Sequence, residues 1–323
     1  MARALVITNP AASRTRARTV AAIMAAFRTG GWQAEVLATC GTGDARLLAE
    51  QGVADGVDVV AVFGGDGTTM QAAAALVGTD TALGVIPGGT GNLLAGNLRI
   101  PASPVRAAQA IVRGHERRID LGRMERGAEA QYFAVACGAG YDARVMAATG
   151  AAQKHKWKFA AYVATTIRLL DQLRPAHHVI TVDGAEYETD AAMLIIANCA
   201  EVIPPLVRFK SGIRPDDGLL DLIAVRASNF SESVRAVWDL VSEGPARGRD
   251  EFVAYGQGKE IKVVSTPVEP VQLDGEPHGE TPFTVTVVPG ALKVMIGNGR
   301  KSRFGHETRD ASRASRVPRP ESR

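Results

Sequence analysis

The sequence has few cysteines, no long apolar run and little net charge, and each shortage excludes a class of protein. Cys40, Cys137 and Cys199 stand far apart without a CxxC pair, so a disulfide framework is not expected. No hydrophobic stretch approaches the length of a membrane-spanning helix, and no signal-peptide layout precedes the first apolar segment. The six histidines show no metal-ligand spacing. These absences favour a reduced, globular, cytoplasmic protein.

The small positive charge is concentrated at one end of the chain. The formal net charge is +3, but residues 301–323 alone carry +4, so the remainder is close to neutral. A near-neutral body lacks the basic surface that nucleic acids require, and no nucleic-acid partner is expected. Residues 305–323 are rich in Arg and Ser without apolar periodicity. This composition predicts a disordered basic tail.

The first third of the chain alternates strands with helices. Continuous apolar runs are typical of parallel strands that are buried on both faces, and the segments between them have helical spacing. The predicted strands are 4–7, 34–37, 57–63 and 83–86, and the predicted helices are 19–27, 45–51, 68–77 and 105–113. This order predicts an α/β nucleotide-binding domain over residues 1–118, built on a parallel sheet.

From about Ile119 the pattern changes to short segments separated by turn residues. Such spacing is typical of an antiparallel sandwich or barrel. The predicted strands are 132–137, 179–182, 193–197, 220–225, 260–264, 283–288 and 292–296, with helices over 156–173 and 231–242. We therefore predict a second, mostly antiparallel β-sandwich domain over residues 119–288.

The strongest local signal is Gly64-Gly65-Asp66-Gly67-Thr68, between a predicted buried strand and a predicted helix. Glycines let the backbone approach a bulky anion, and a helix N-terminus presents free N–H groups to phosphate. The alternative is a tight turn capped by Asp66, but three glycines around one aspartate exceed what a cap needs. The segment predicts a phosphate-binding loop, in which Asp66 holds magnesium or orients phosphates and Thr68 adds a hydroxyl contact.

A second glycine-rich turn, Pro87-Gly88-Gly89-Thr90-Gly91-Asn92, follows the next predicted strand. Loops that follow neighbouring parallel strands lie at the same carboxyl edge of a sheet, which is where ligands bind. Alone, this turn is of a common type. Together, the two loops predict one cleft.

Two Asp-Gly pairs, at 217–218 and 274–275, stand later in the chain. Asp-Gly suits hairpin turns, so both pairs are open to a purely structural interpretation. A turn can also aim carbonyl groups at a cation, so a turn and a metal site are compatible at 215–221. Phosphoryl transfer needs carboxylates for a metal and for a proton. The candidates are Asp66, Asp217, Asp274 and Glu276.

These segments resemble the diacylglycerol kinase catalytic family, the soluble bacterial lipid kinases related to sphingosine and ceramide kinases. The resemblance runs in family order over roughly 300 residues. It is carried by Asn9-Pro10, GGDGT at 64–68, PGGTGN at 87–92, PDDGLLD at 215–221 and LDGE at 273–276. It implies the two-domain fold predicted above, with residues 289–304 returning to complete the ATP-binding domain and residues 119–288 taking the lipid.

The resemblance also implies roles for individual residues. Asp217 would hold Mg2+ with the carbonyl groups of Arg214 and Leu219. Glu276, in the DGE motif with Asp274, would accept the proton of the lipid hydroxyl, and Asp66 completes the expected catalytic set. The ATP-contacting positions would be Asn9, Pro10, Ser13, Thr39, Gly64, Gly65, Asp66, Gly67, Thr68, Thr69, Met70 and Thr90.

The resemblance thus leads us to expect an ATP- and Mg2+-dependent kinase that phosphorylates a lipid hydroxyl, with diacylglycerol as the first candidate. A sphingoid or ceramide kinase, an NAD kinase and a catalytically weak nucleotide- or lipid-binding homologue stay as alternatives. We expect a cytoplasmic protein that meets its lipid at the inner face of the membrane. Residues 154–159 combine cations with interfacial aromatics and are the candidate membrane contact. A homo-oligomer is left open.

Overall fold

The structure is a computed structural model that describes residues 1–141, 143–144, 174–203, 207–208, 212–227, 232 and 253–297 of the chain. Several predicted features lie outside the described residues: the helix over 156–173, most of the helix over 231–242, the membrane-contact segment and the basic tail. Among the described helices, none is long and apolar enough to cross a bilayer.

The N-terminal third is the predicted α/β unit. Its elements are β1 (Arg3–Thr8), α1 (Ala17–Thr29), β2 (Gln33–Ala38), α2 (Asp44–Ala54), β3 (Val59–Gly64), α3 (Asp66–Leu76), β4 (Ala82–Pro87), α4 (Leu93–Asn97) and α5 (Pro104–Arg113). The four strands are parallel in the order β2-β1-β3-β4. Helices α1 and α5 cover one face of the sheet and α2 and α3 cover the other, so every residue of β3 and β4 is buried.

The rest of the described chain is almost entirely strand. Its elements are β5 (His115–Arg126), β6 (Glu129–Phe133), β7 (Ala136–Gly140), β8 (Ala176–Val182), β9 (Ala185–Ala191), β10 (Met193–Ala197), β11 (Glu201–Ile203), β12 (Val207–Arg208), β13 (Leu220–Val225), β14 (Val253–Gly258), β15 (Glu260–Thr266), β16 (Pro270–Leu273), β17 (Glu276–Glu280) and β18 (Phe283–Ile296).

These strands extend one sheet and form another. Within the described residues, the large sheet has the order β2-β1-β3-β4-β18-β15-β8-β9, with β5 paired to β18 and β6 to β5. A separate antiparallel sheet has the order β14-β13-β10-β7-β16-β17. An apolar core lies between this antiparallel sheet and the antiparallel half of the large sheet. The predicted fold class, an α/β nucleotide-binding unit with a β-sandwich, is confirmed.

Strand β18 connects the two halves of the large sheet. It pairs parallel with β4 at Val294 and Leu83, and antiparallel with β5 and β15. The segments 283–288 and 292–296 were predicted as two strands, which is wrong, because the chain passes through a register shift between Val288 and Leu292 without leaving the sheet. The boundary between residues 118 and 119 stays a prediction and lies within β5.

A second correction concerns the strand predicted over 132–137. The structure divides it, because β6 ends at Phe133 and β7 begins at Ala136. At the division, three consecutive backbone N–H groups turn toward the side chain of Asp274 instead of a neighbouring strand. A feature of the candidate site thus interrupts the strand.

Candidate active site

The loops that follow β1, β3 and β4 are joined at the carboxyl edge of the parallel sheet. The N–H of Gly88 donates to the carbonyl of Gly64 at 2.8 Å, which links the two glycine-rich loops. The carbonyl of Gly88 accepts from the Ser13 hydroxyl and from the Arg14 N–H, each at 3.3 Å. The three loops therefore lie together at this edge of the sheet.

Asp66 fixes the second glycine-rich loop against the first. Its carboxylate accepts the N–H groups of Asn92 at 2.7 Å and Leu93 at 2.6 Å, where α4 begins. A Cβ built on Gly91 would lie 2.8 Å from Asp66 Oδ2, so a side chain there would displace the carboxylate. Because both carboxylate oxygens bind backbone, Asp66 shapes the loops in this structure.

The first turn of α3 lies at the same edge. Helix α3 begins at Asp66, and the first N–H groups of a helix have no partner within it. Asn9 holds this turn in place, because its Nδ2 donates to Thr68 Oγ1 at 2.9 Å. The Thr69 hydroxyl donates to the carbonyl of Gly65 at 3.0 Å. A helix N-terminus that is flanked by glycines fits a bound phosphate chain.

The other predicted ATP-contacting residues surround the same edge. The N–H of Thr39 donates to the carbonyl of Thr8 at 2.9 Å, which places Thr39 at the end of β2. Pro10 and Thr90 are exposed in the first and last of the three loops. Met70 differs from the others, because it packs against the hydrophobic core beneath α3. The roles of these residues in ATP binding stay predictions.

Asp274 and Gly275 form a two-residue turn between β16 and β17. Both have positive φ, 47° and 84°, as a type I′ hairpin turn requires. The Asp274 carboxylate accepts three backbone N–H groups, from Ala134 and Val135 at 2.8 Å and from Ala136 at 2.9 Å. The turn is therefore tied to the loop between β6 and β7.

Two other carboxylates, those of Asp66 and Glu276, lie near this turn. Burial, aided by the nearby Asp66 carboxylate, raises the pKa of Asp274 to about 6 against the lowering effect of the three N–H donors. Glu276 follows the turn, and a Cβ built on Gly67 would lie 3.6 Å from its Oε1. Glu276 thus stands over the first turn of α3, and the three predicted catalytic residues lie around one end of that helix.

The predicted metal ligands lie in a separate turn before β13. Leu219 donates its N–H to the Asp217 carboxylate at 3.2 Å, and partial burial raises the pKa of Asp217. The neighbouring Asp216 is paired with Arg117 at 2.5 Å and Arg214 at 3.1 Å. Within the described residues, no three His, Cys, Asp or Glu side chains converge on a cation site. One carboxylate with backbone carbonyls suits Mg2+, which keeps several of its waters.

Asp120 holds this turn and was missed by the sequence analysis. It is buried on β5, and its carboxylate accepts the N–H groups of Gly218 and Gly290, each at 2.7 Å. Its own N–H donates to the carbonyl of Pro215 at 2.7 Å. The available signal was an aspartate between two apolar residues, Ile119 and Leu121, and such a buried carboxylate is normally hydrogen-bonded.

Comparison with protein families gives two matches that together span most of the chain. A family model for the diacylglycerol kinase catalytic domain matches residues 3–124. A second model, the YegS C-terminal NAD kinase beta sandwich-like domain, matches residues 135–296. The first match contains the glycine-rich loops, and the second contains both Asp-Gly turns.

Relatives agree with these matches. A protein named diacylglycerol kinase from Mycobacterium tuberculosis is 31% identical over 78% of this chain and 81% of its own. A protein of Xanthomonas oryzae pv. oryzae named "Probable lipid kinase YegS-like" is 27% identical over 84% of this chain and 89% of its own. An uncharacterized protein of Synechocystis sp. is 30% identical over 76% of this chain, which spans only 56% of that longer protein.

A solved structure supports the fold. The crystal structure of a diacylglycerol kinase from Bacillus anthracis superposes with a TM-score of 0.70 at 21% identity, covering 92% of this chain and 97% of its own. At this identity the likeness concerns the architecture of the two halves and not the reaction.

Proposed function

This chain belongs to the diacylglycerol kinase catalytic family, and from that premise we propose that it transfers the γ-phosphate of ATP to a lipid hydroxyl. The observation that carries the proposal is the position of Glu276 over the first turn of α3. A carboxylate beside a phosphate-binding helix end is what proton acceptance during phosphoryl transfer requires.

In this proposal each residue of the candidate site has a separate role. The N–H groups at the start of α3 bind the phosphate chain, and Asp66 keeps the second loop closed against them. Glu276 accepts the proton of the lipid hydroxyl. The hydroxyl oxygen bonds to the γ-phosphorus as the bond between that phosphorus and the β,γ-bridging oxygen breaks, and ADP leaves. Asp274 holds the turn that carries Glu276, so it is a positioning residue in this scheme.

Two further components are proposed from the family and the donor chemistry. ATP would supply the phosphoryl group, and Mg2+ would neutralise the charge on its phosphates. Asp217, with the carbonyl groups of Arg214 and Leu219, would hold one Mg2+. Asp120 would keep this turn in place, because it accepts the N–H of Gly218.

We propose diacylglycerol as the acceptor, with phosphatidic acid as the product. The relative from M. tuberculosis carries that activity in its name, whereas the one from X. oryzae is named only as a lipid kinase, so a sphingoid or ceramide acceptor is the alternative. In this proposal the protein is cytoplasmic and meets its lipid at the membrane surface.

The direct test is transfer of labelled γ-phosphate from ATP with Mg2+ to diacylglycerol, sphingosine, ceramide and NAD in separate reactions. Labelled phosphatidic acid is the expected product. Label in sphingosine or ceramide would correct the acceptor, and labelled NADP would replace the proposal by an NAD kinase. ATP binding without any labelled product would leave a nucleotide-binding homologue.

A variant pair tests the proposed base. Glu276→Gln keeps the shape of the side chain but cannot take the proton, so we expect kcat to fall by about 100-fold or more while the Kd of ATP changes by less than about twofold. Glu280→Gln, at the other end of β17, is the matched control and should retain wild-type kcat. Full activity in Glu276→Gln would show that another group accepts the proton.

A further inference from the structure

The side-chain amide of Asn97, the last residue of α4, forms a reciprocal pair of hydrogen bonds with the backbone of Glu201. Its Nδ2 donates to the carbonyl of Glu201 at 2.7 Å, and its Oδ1 accepts the N–H of Glu201 at 2.9 Å. Nδ2 also donates to the carbonyl of Leu93 at 3.0 Å, one turn earlier in α4. A reciprocal pair of bonds fixes both distance and direction between α4 and the start of β11.

Arg99 reinforces this contact at a conformational cost. Its φ is 58°, a left-handed conformation that is strained for a residue other than glycine. Its guanidinium lies 2.6 Å from the carboxylate of Glu201, which is buried at 5% exposure. A buried carboxylate requires a charged partner, and retained backbone strain points to a function for the residue that carries it.

The contact between Asn97 and Glu201 completes a series of hydrogen bonds that links the glycine-rich loops to the β16–β17 turn. At one end, Asp66 binds the N–H of Leu93, where α4 begins. At the other end, the chain just before Glu201 binds the loop between β6 and β7, because Asn198 and Cys199 donate their N–H groups to the carbonyl of Val135. Val135 and its two neighbours also donate their N–H groups to the Asp274 carboxylate.

We infer that Asn97 and Arg99 form a clamp on Glu201 that sets the position of the β16–β17 turn relative to the phosphate loops. The inference rests on the proposed function, since the turn carries the proposed base, Glu276. Asn97 and Arg99 act through Glu201 and the β6–β7 loop, so they are positioning residues. Displacing a reacting group by about 1 Å costs on the order of 100-fold in rate.

Two variants release the clamp in different ways. Asn97→Ala removes all three side-chain bonds, and we expect kcat to fall by about 10- to 100-fold while the Kd of ATP changes by less than about twofold. Arg99→Gly relieves the left-handed backbone but leaves the Glu201 carboxylate without this cation. It should lose about 3- to 10-fold in kcat.

Asp183→Gly is the control for a general loss of stability. Asp183 also binds two backbone N–H groups, those of Lys259 and Glu260, but it lies in the β8–β9 turn at the far side of the large sheet. Its removal should lower the melting temperature while kcat stays within twofold of wild type. A kcat in Asn97→Ala equal to that of the control, or a parallel loss of ATP affinity, would overturn the clamp.

Amide hydrogen exchange separates failure of the clamp from failure of the proposed function. If the wild type phosphorylates none of the lipids, the proposed function fails, but the clamp still predicts a local effect. The N–H groups of Val135 and Ala136 should exchange faster in Asn97→Ala than in Asp183→Gly. Equal protection of these amides in the two variants would overturn the inference whatever the activity.

Discussion

The turns at Asp217-Gly218 and Asp274-Gly275 share a dipeptide and differ in what surrounds the carboxylate. Asp274 accepts three N–H groups from the β6–β7 loop, whereas Asp217 accepts one, from Leu219 within its own turn. The dipeptide determines the turn, but donors from a distant part of the chain determine what the aspartate does there. One turn is tied to the β6–β7 loop, and the other bonds its carboxylate to a backbone N–H of its own turn.

The largest expected difference between the turns follows truncation of each aspartate. Asp274→Ala leaves three N–H groups in a partly buried loop without their acceptor, so we expect the free energy of unfolding to fall by about 3–5 kcal/mol and kinase turnover to be lost. Urea unfolding followed by circular dichroism measures the loss. A similar loss in Asp217→Ala would mean that the two environments do not differ as described.

The pH dependence of stability sharpens the comparison. The pKa of Asp274 is raised from 3.8 to about 6, so this group stabilises the folded state fully below pH 3.8, and its contribution is lost as the pH rises through about 6. Relative to Asp274→Asn, which does not titrate, the wild type should therefore lose about 2 kcal/mol of unfolding free energy between pH 4 and pH 7.

The control for that titration is Asp217→Asn, measured over the same range. The pKa of Asp217 is also raised by burial, so its contribution has the same sign, but we expect a smaller change. A difference between wild type and Asp274→Asn that stays constant from pH 4 to pH 7 would show that the three N–H donors outweigh burial at Asp274.

The glycines of the two turns should respond alike. Gly218 and Gly275 have φ of 72° and 84°, so alanine at either position is strained by about 1 kcal/mol. Equal losses of unfolding free energy in Gly218→Ala and Gly275→Ala would show that the backbones are equivalent and that the side-chain surroundings make the difference. Unequal losses would place part of the difference in the backbone.

The smallest effect on the metal-free protein is expected for Asp217→Ala, below about 1 kcal/mol in unfolding free energy. Its effect should appear when Mg2+ is added, because an ion bound only by the folded state raises the melting temperature. We expect a saturating concentration of Mg2+ to stabilise the wild type and not Asp217→Ala. Equal stabilisation of both would place the ion elsewhere.

The sequence predicted β3 and β4 but missed β9 and β17. β3 and β4 are apolar throughout because both of their faces are covered, and that pattern is visible in the residues alone. β9 and β17 were missed because they lie at sheet edges, with most of their residues in contact with solvent. An edge strand needs no continuous apolar face, so its sequence is close to that of a loop.

The same division applies to the candidate site. The glycine-rich loops were predictable, because glycine next to a buried strand is a local signal of close backbone approach. Asp120 and Asn97 were not, because their partners lie about 100 residues away in the chain and only folding brings them together. Residues that act through distant backbone groups leave little trace in a single sequence.

Strand β18 has a consequence for how the protein is made. The edge of β4 opposite β3 pairs with β18 near Val294, and this part of the chain is translated long after the glycine-rich loops. Pairings between such distant segments form slowly, and an open strand edge invites association with other chains. The half of the molecule that begins the chain is therefore the last to be completed, and a nascent chain that lacks its final described strand presents an unfinished sheet.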